Sequence, residues 1–137
     1  ASCLVGSEMC IRDSFRPVYD RERLARIMAS CDALIHGSEA EPFGLVAAEA
    51  MASGLPLIVP HTGGCAEVAD ARCAELYEPR DPMSCAWAIE RMHARDRALL
   101  RRTALVAAGQ VRTDREHTVE LMAYYADQIA QRERRAA

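Results

Sequence analysis

The sequence has little of several features that point to particular classes of protein. Aromatic residues make up only 5% of the 137 residues, which argues against an aromatic-rich β-sandwich and favours alanine-rich helices packed closely on a sheet. Basic residues are not in excess, because the net charge is −3 and the isoelectric point is near 5.8. The electrostatic footprint of a nucleic-acid-binding protein is therefore missing, and we expect a small molecule or another protein as the partner.

Long apolar runs and paired cysteines are also missing. No run reaches the roughly 18 residues of a membrane span, and no signal peptide is visible. A cytoplasmic protein is expected, with peripheral association to a membrane left open. The cysteines form no C-x-x-C pair and no metal-ligand spacing with a histidine, so we expect no metal site and small buried thiols in a reducing compartment. They are Cys3, Cys10, Cys31, Cys65, Cys73 and Cys85.

The start of the chain differs in character from the rest. The chain begins with Ala1 rather than Met, which suggests a piece of a longer protein, and residues 7–14 resemble the translation of a sequencing adaptor. We therefore interpret residues 1–14 as a non-native or unstructured leader. Residues 15–112 are predicted to form a partial Rossmann-like domain, and residues 113–137 a C-terminal helix and tail.

Short apolar runs alternate with helical patterns along the rest of the chain. Strands are predicted at 33–36, 57–59 and 73–77, and helices are predicted to begin at Asp20, Gly44, Cys65, Asp81, Leu99 and Thr113. This alternation predicts an α/β fold with a Rossmann-like parallel sheet and flanking helices. Because only three strands are visible, the sheet is expected to be incomplete, with further strands preceding Phe15.

The segment from Ser38 to Pro56 stands where a strand passes into a helix. In open parallel sheets this is the ligand crevice, at the carboxyl ends of the strands. A helix that begins near Phe43 or Gly44 directs free N–H groups and the positive end of its dipole towards that crevice, which favours a phosphate. Gly44 has no Cβ and permits close approach of the ligand to the backbone.

Two glutamates in this segment are candidates for hydrogen bonding to a ligand. Glu49 lies in a helix of otherwise apolar residues, where a carboxylate is costly unless it is hydrogen-bonded, and a ribose diol offers it two donors. Glu41 precedes the helix and could accept hydrogen bonds from sugar hydroxyls. The alternatives are an ion pair of Glu49 with an arginine or a helix end, and a solvated acidic loop that contains Glu39 and Glu41.

The same segment resembles the E-x7-E signature of the retaining glycosyltransferases of family 4, with Glu41 and Glu49 at its two ends. Phe43-Gly44-Leu45 is the typical interior of that signature, and the Gly63-Gly64 pair with Glu67 extends the resemblance. The resemblance covers Asp20 to about Trp87 well. It implies the C-terminal, donor-binding half of a GT-B fold, that is, of an enzyme with two Rossmann domains.

The resemblance also implies residue roles. Glu41 would meet the donor sugar as the candidate catalytic residue, the backbone of Phe43, Gly44 and Leu45 would lie against the sugar and diphosphate, and Glu49 would bind the ribose. The family transfers a sugar, a hexose in the expected case, from a UDP-, GDP- or ADP-sugar to an acceptor hydroxyl with retention, and usually needs no metal. No cofactor beyond the nucleotide-sugar substrate is expected.

Parts of the family's machinery are not recognisable in this chain. The family takes an Arg and a Lys for the diphosphate from a segment upstream, and its acceptor site and a histidine from an N-terminal domain. We therefore expect the chain alone to be inactive, with His36 and His61 structural or incidental. Two other functions stay open, namely a non-catalytic nucleotide-binding or interaction module and a nucleotide-sugar epimerase on the same scaffold.

The final helix has two possible environments. The resemblance implies that it crosses back onto the missing N-terminal domain, which would leave the apolar stripe of Leu121, Tyr124, Tyr125 and Ile129 exposed here. The alternative is that this stripe packs on its own domain.

Overall fold

A computed structural model describes residues 18–136 of the chain. The leader predicted at residues 1–14 lies outside the described residues, as do Cys3 and Cys10. Six helices and three strands follow one another in this part of the chain. They are α1 (Arg21–Ser30), β1 (Leu34–Ile35), α2 (Leu45–Ala52), β2 (Leu57–Pro60), α3 (Gly64–Val68), β3 (Ala74–Tyr77), α4 (Pro82–His93), α5 (Arg97–Ala108) and α6 (Asp114–Ala136).

The three strands form one parallel sheet in the order β1-β2-β3. Every residue of the central strand β2 is buried, as expected for a strand with neighbours on both edges and helices on the sheet. All three strands predicted from the apolar runs are present, with ends that differ by at most one residue. The predicted parallel α/β fold class is confirmed, and the sheet has only three strands in the described range.

Short polar side chains determine where several helices begin. The carboxylate of Asp20 accepts a hydrogen bond from the N–H of Arg23 at 2.8 Å, and Asp81 accepts from Met83 and Ser84 at the start of α4. Pro82 occupies the first turn of α4, where its missing N–H costs no helical hydrogen bond. These contacts are the N-caps that the sequence predicts at Asp20 and Asp81.

The core is built largely from small residues on α2 and α5. Ala47, Ala50 and Ala104 are fully buried where these two helices pack, and Met51 fills the larger space beside them. Alanine side chains allow the helix axes to approach closely, so a compact layer forms with few aromatic residues. This explains how a sequence with so few aromatic residues still folds around a dense core.

The expectation that the cysteines are buried is wrong in part. Cys65 and Cys73 are buried as predicted, but Cys31 is exposed at the end of α1. The helix predicted after Asp81 is present as α4, in which Met92 is buried whereas Trp87 and Ile89 are 53% and 41% exposed. The periodicity located the helix correctly, but only one edge of its apolar face meets the described core.

The long helix α6 presents its apolar side chains to solvent. Tyr124, Tyr125 and Ile129 are each more than half exposed, and Leu121 is half-buried. Of the two predicted environments, packing of this stripe on its own domain is therefore not observed. Between residues 18 and 136, no helix combines the length and the apolar character needed to cross a bilayer.

Candidate functional site

Three loops meet at the carboxyl-terminal edge of the sheet. They follow β1, β2 and β3, and comprise residues 36–44, 61–63 and 78–81. We refer to them as the first, second and third edge loops. In open parallel sheets ligands bind at this edge, and the first edge loop carries the segment singled out by the sequence.

Glycine backbone joins the first two edge loops. The N–H of Gly64 donates to the carbonyl oxygen of Glu41 at 2.6 Å. A Cβ on Gly44 would lie 2.5 Å from the carbonyl oxygen of Gly64, and a Cβ on Gly63 would lie 2.9 Å from that of Glu39. Gly44 and Gly63 also have positive φ angles of 66° and 81°, which residues with side chains rarely adopt. Main chain thus contacts main chain here, and glycine is required on steric grounds. The expectation that the missing Cβ of Gly44 admits a ligand is wrong, because the main chain of Gly64 fills that space.

The N-terminus of α2 opens at this junction. Gly44 is the N-cap residue and makes no side-chain cap, while its carbonyl oxygen accepts from the N–H groups of Ala47 and Ala48 at 3.0 and 3.1 Å. The N–H groups of Leu45 and Val46 therefore precede the helical ladder, as the first amides of every helix do. With the positive end of the helix dipole, they form a local environment that favours an anionic group.

Glu41 lies at the entrance to this helix. Its side chain is half-buried, and its main-chain oxygen holds the second edge loop. Burial, and after it the negative charge of Glu41, raise the pKa of the Cys65 thiol. The carboxylate of Glu41 therefore acts electrostatically on Cys65 in the first turn of α3. Cys65 is correspondingly a neutral thiol at neutral pH.

Glu49 is exposed to solvent in the second turn of α2. The expectation that it sits among apolar neighbours at an electrostatic cost is therefore wrong, because the apolar residues of α2 face inward and Glu49 faces outward. The alternative of an ion pair with arginine is not observed either, since no described cation lies within ion-pair distance of it. Its carboxylate is consequently accessible to a ligand.

An ion pair and a histidine–carboxylate contact connect the third edge loop to the other two. Arg80 pairs with Glu39 of the first edge loop, and Glu78 pairs with Nδ1 of His61 in the second at 3.3 Å. For Glu39 the alternative of a solvated acidic loop is therefore wrong, because its carboxylate is held in an ion pair. Arg80 and Glu78 could not be identified from the sequence, because their pairing depends on how close the loops lie in the folded chain.

The two histidines at this edge differ in their surroundings. His61 has the Glu78 partner, which agrees with a structural role. The carbonyl oxygen of His36 accepts a hydrogen bond from the Tyr77 hydroxyl at 2.7 Å, whereas its ring Nε2 is buried without a hydrogen-bond partner among the described residues. Among the described residues, no hydrogen bond or ion pair joins either imidazole ring to Glu41 or Glu49.

Phe43 and Leu45 project away from the core beside the α2 N-terminus. They are 75% and 66% exposed and line a cavity of about 990 Å³ that extends to α3 and the start of α6. Glu41 and Glu49 do not line this cavity, so the predicted site residues do not share one enclosed pocket. No group of three or more possible metal ligands occurs in the described part of the chain.

Comparisons with known proteins agree with one another. Residues 15–111 match the sequence profile of the family described as "Glycosyl transferases group 1". A D-inositol 3-phosphate glycosyltransferase from Mycolicibacterium vanbaalenii is 34% identical over 124 residues, which are 89% of this chain and 27% of the relative.

Two solved structures share the fold. Sucrose-phosphate synthase from Thermosynechococcus elongatus superposes with a TM-score of 0.71 at 29% identity, covering 86% of this chain and 30% of that protein. HepE from Anabaena, solved in complex with UDP, superposes with a TM-score of 0.56 at 26% identity, covering 77% and 29%.

The chain thus spans less than a third of each of these three relatives. Its sheet and flanking helices correspond to part of a GT-B fold, as the resemblance implied. With the family profile matching most of its length, the chain belongs to the glycosyl transferases group 1 family.

Proposed function

We propose that this chain is the donor-binding part of a retaining family 4 glycosyltransferase, which holds a nucleotide-sugar for transfer to an acceptor hydroxyl. The observation that carries the proposal is the open N-terminus of α2, which lies between Glu41 and Glu49 at the carboxyl edge of the sheet. An E-x7-E segment then supplies one carboxylate on each side of an anion site.

The diphosphate is assigned to the first turn of α2. The amides of Leu45 and Val46 are outside the helical ladder, and no side-chain cap at Gly44 competes with a ligand for them. As the bond from the anomeric carbon to the diphosphate breaks, negative charge grows on the departing phosphate. Pre-oriented amides and the helix dipole stabilise that charge, and we propose that they act without a metal.

The two glutamates are assigned to the two ends of the donor. Glu49 is exposed and unpaired among the described residues, so its carboxylate can accept hydrogen bonds from both hydroxyls of a ribose. Glu41 is half-buried at the helix entrance, where it would meet the sugar. That HepE was solved with UDP supports a UDP-, GDP- or ADP-sugar as donor.

Catalysis is assigned to the longer protein. We propose that an upstream segment and an N-terminal domain supply the acceptor site and further cations for the diphosphate. In this proposal the described residues bind and orient the donor, and the isolated chain does not turn it over. Activity as a whole enzyme would be tested by product analysis, which separates a transferred sugar from an epimerised nucleotide-sugar.

Calorimetric titration of the chain with UDP, GDP and ADP and their glucose conjugates tests the donor site. Glu49→Ala should weaken nucleotide and nucleotide-sugar alike, by about ten- to a hundredfold, because each loses hydrogen bonds to a charged group. Glu41→Ala should weaken only the sugar conjugates.

Glu90→Ala is the matched control, since it removes an exposed carboxylate from the last turns of α4, at the end of that helix away from the third edge loop. The proposal fails if none of the six ligands binds, or if Glu49→Ala behaves like Glu90→Ala.

A further inference from the structure

One backbone conformation at the carboxyl edge is unusual. Arg80 has a φ angle of 63° and is the sole residue other than glycine with positive φ in the described range. A side chain in this conformation is strained, and such strain persists only when surrounding contacts compensate for it. Glycine would adopt this conformation at a lower energetic cost. The arginine side chain is therefore expected to make a contact that compensates for the strain.

The side chain of Arg80 forms one ion pair among the described residues, with the carboxylate of Glu39. Glu39 lies in the first edge loop, two residues before Glu41. The guanidinium is 83% exposed, so packing does not hold it, and the ion pair is the recorded contact that orients it. The third edge loop is thereby tied to the loop that carries the proposed sugar-binding glutamate.

The first edge loop is fixed on its other side by main chain. Gly64 donates to the carbonyl oxygen of Glu41, and Gly63 lies against that of Glu39. These contacts hold the backbone near the second edge loop and leave the Glu39 side chain to Arg80. The loop that carries Glu41 is therefore held by main-chain contacts with the second edge loop on one side and by the ion pair with Arg80 on the other.

We infer that Arg80 is a positioning residue for donor-sugar recognition, acting through Glu39 on the loop that places Glu41. The inference rests on the proposed function. Arg80 touches neither sugar nor phosphate in this assignment. Its loss therefore affects the part of the ligand that Glu41 meets and spares the part assigned to Glu49 and the α2 amides.

The test compares the affinities of UDP and UDP-glucose, or of the corresponding GDP or ADP pair if the site prefers that base. Arg80→Gly should weaken UDP-glucose about two- to fivefold, the size expected for an exposed ion pair, and leave UDP unchanged. Because glycine suits the positive φ, the thermal midpoint of unfolding should not fall. A fall in sugar affinity then cannot be ascribed to a damaged fold.

A charge exchange supplies the rescue. Glu39→Arg combined with Arg80→Glu should restore the preference for UDP-glucose, and each single substitution should lose it. Arg97→Ala is the matched control, because it removes another exposed ion pair, with Asp32, at the opposite edge of the sheet. The inference is overturned if Arg80→Gly leaves the preference unchanged, if it weakens UDP and UDP-glucose equally, or if the exchanged pair does not restore the preference.

Amide hydrogen exchange without ligand separates this inference from the proposed function. Arg80→Gly should speed exchange of the Gly64 amide, whose N–H donates to the carbonyl oxygen of Glu41, and the exchanged pair should slow it again. If the wild-type chain binds no nucleotide, the proposed function fails. The hydrogen-exchange rates measured without ligand still decide whether Arg80 holds the first edge loop in place. Unchanged exchange in Arg80→Gly overturns the inference.

Discussion

At the scale of single residues, the glycines of the edge loops leave the least room for substitution. Gly44 combines a positive φ with a position where a Cβ would overlap the main chain of Gly64, so two independent costs arise at one site. Gly37 of the same loop has open space around it. These two glycines therefore form a matched pair for experiment.

Gly44→Ala should lower the free energy of unfolding by about 2–3 kcal/mol, since the left-handed conformation and the backbone clash both add to the cost. Urea denaturation followed by circular dichroism measures it. Gly37→Ala, the control, should be close to neutral. Equal stability of the two variants would contradict the contact between the first and second edge loops.

The sequence predicted some single residues of the site better than others. Glu41, Gly44 and Glu49 were recognisable because they lie close together in the chain, within one strand-to-helix segment. Glu49 was chosen partly on the wrong ground of burial, because a short alanine-rich helix does not reveal which face meets the core. Arg80 was missed because its partner Glu39 is 41 residues away.

At the scale of elements, capping groups explain why the helices begin where they do, and α6 has a reciprocal pair. The carboxylate of Glu116 accepts hydrogen bonds from the N–H and the hydroxyl of Thr113, each at 2.8 Å, and the N–H of Glu116 donates back to that hydroxyl at 3.3 Å. This is a capping box. The backbone hydrogen bond and then the hydroxyl hold the pKa of Glu116 below its ordinary value.

A pH dependence of α6 follows from that pKa. Because the carboxylate is favoured in the folded helix, its contribution is fully present above the ordinary glutamate pKa, about 4.3, and is lost as the pH falls through the lower folded value. The protection factor of the first-turn amides of α6, that is, the exchange rate of an unstructured chain divided by theirs at the same pH, should therefore fall only below that range. Glu116→Gln should remove the dependence, and a protection factor that stays constant on acidification would contradict the cap.

Elements were predictable where local signals suffice. Aspartates at helix starts and Gly54, which has a φ of 73° just after α2, give the helix boundaries to within a few residues. β1 was harder to delimit, since only Leu34 and Ile35 pair with β2 although the apolar run is longer. Pairing depends on the neighbouring strand, which a local pattern does not contain.

At the scale of the whole molecule, apolar surface is concentrated on elements that lack neighbours in the described range. The stripe of α6 is exposed, and Ile35 and Ile89 line a cavity of about 590 Å³ beside the β1 edge of the sheet. Periodicity predicts that such faces are apolar, but it does not say what covers them. For the same reason, the environment of α6 could not be decided from sequence.

The central claim is that the open start of α2 at the carboxyl edge of the sheet receives the diphosphate of a nucleotide-sugar. Nuclear magnetic resonance titration of the isotopically labelled chain with UDP-glucose tests it most directly. We predict amide shifts at Gly44, Leu45 and Val46 and around Glu49, and Glu49→Ala should raise the ligand concentration they require by about ten- to a hundredfold. Shifts confined to the opposite edge, near Asp32 and Arg72, or no shifts at all, would contradict the account.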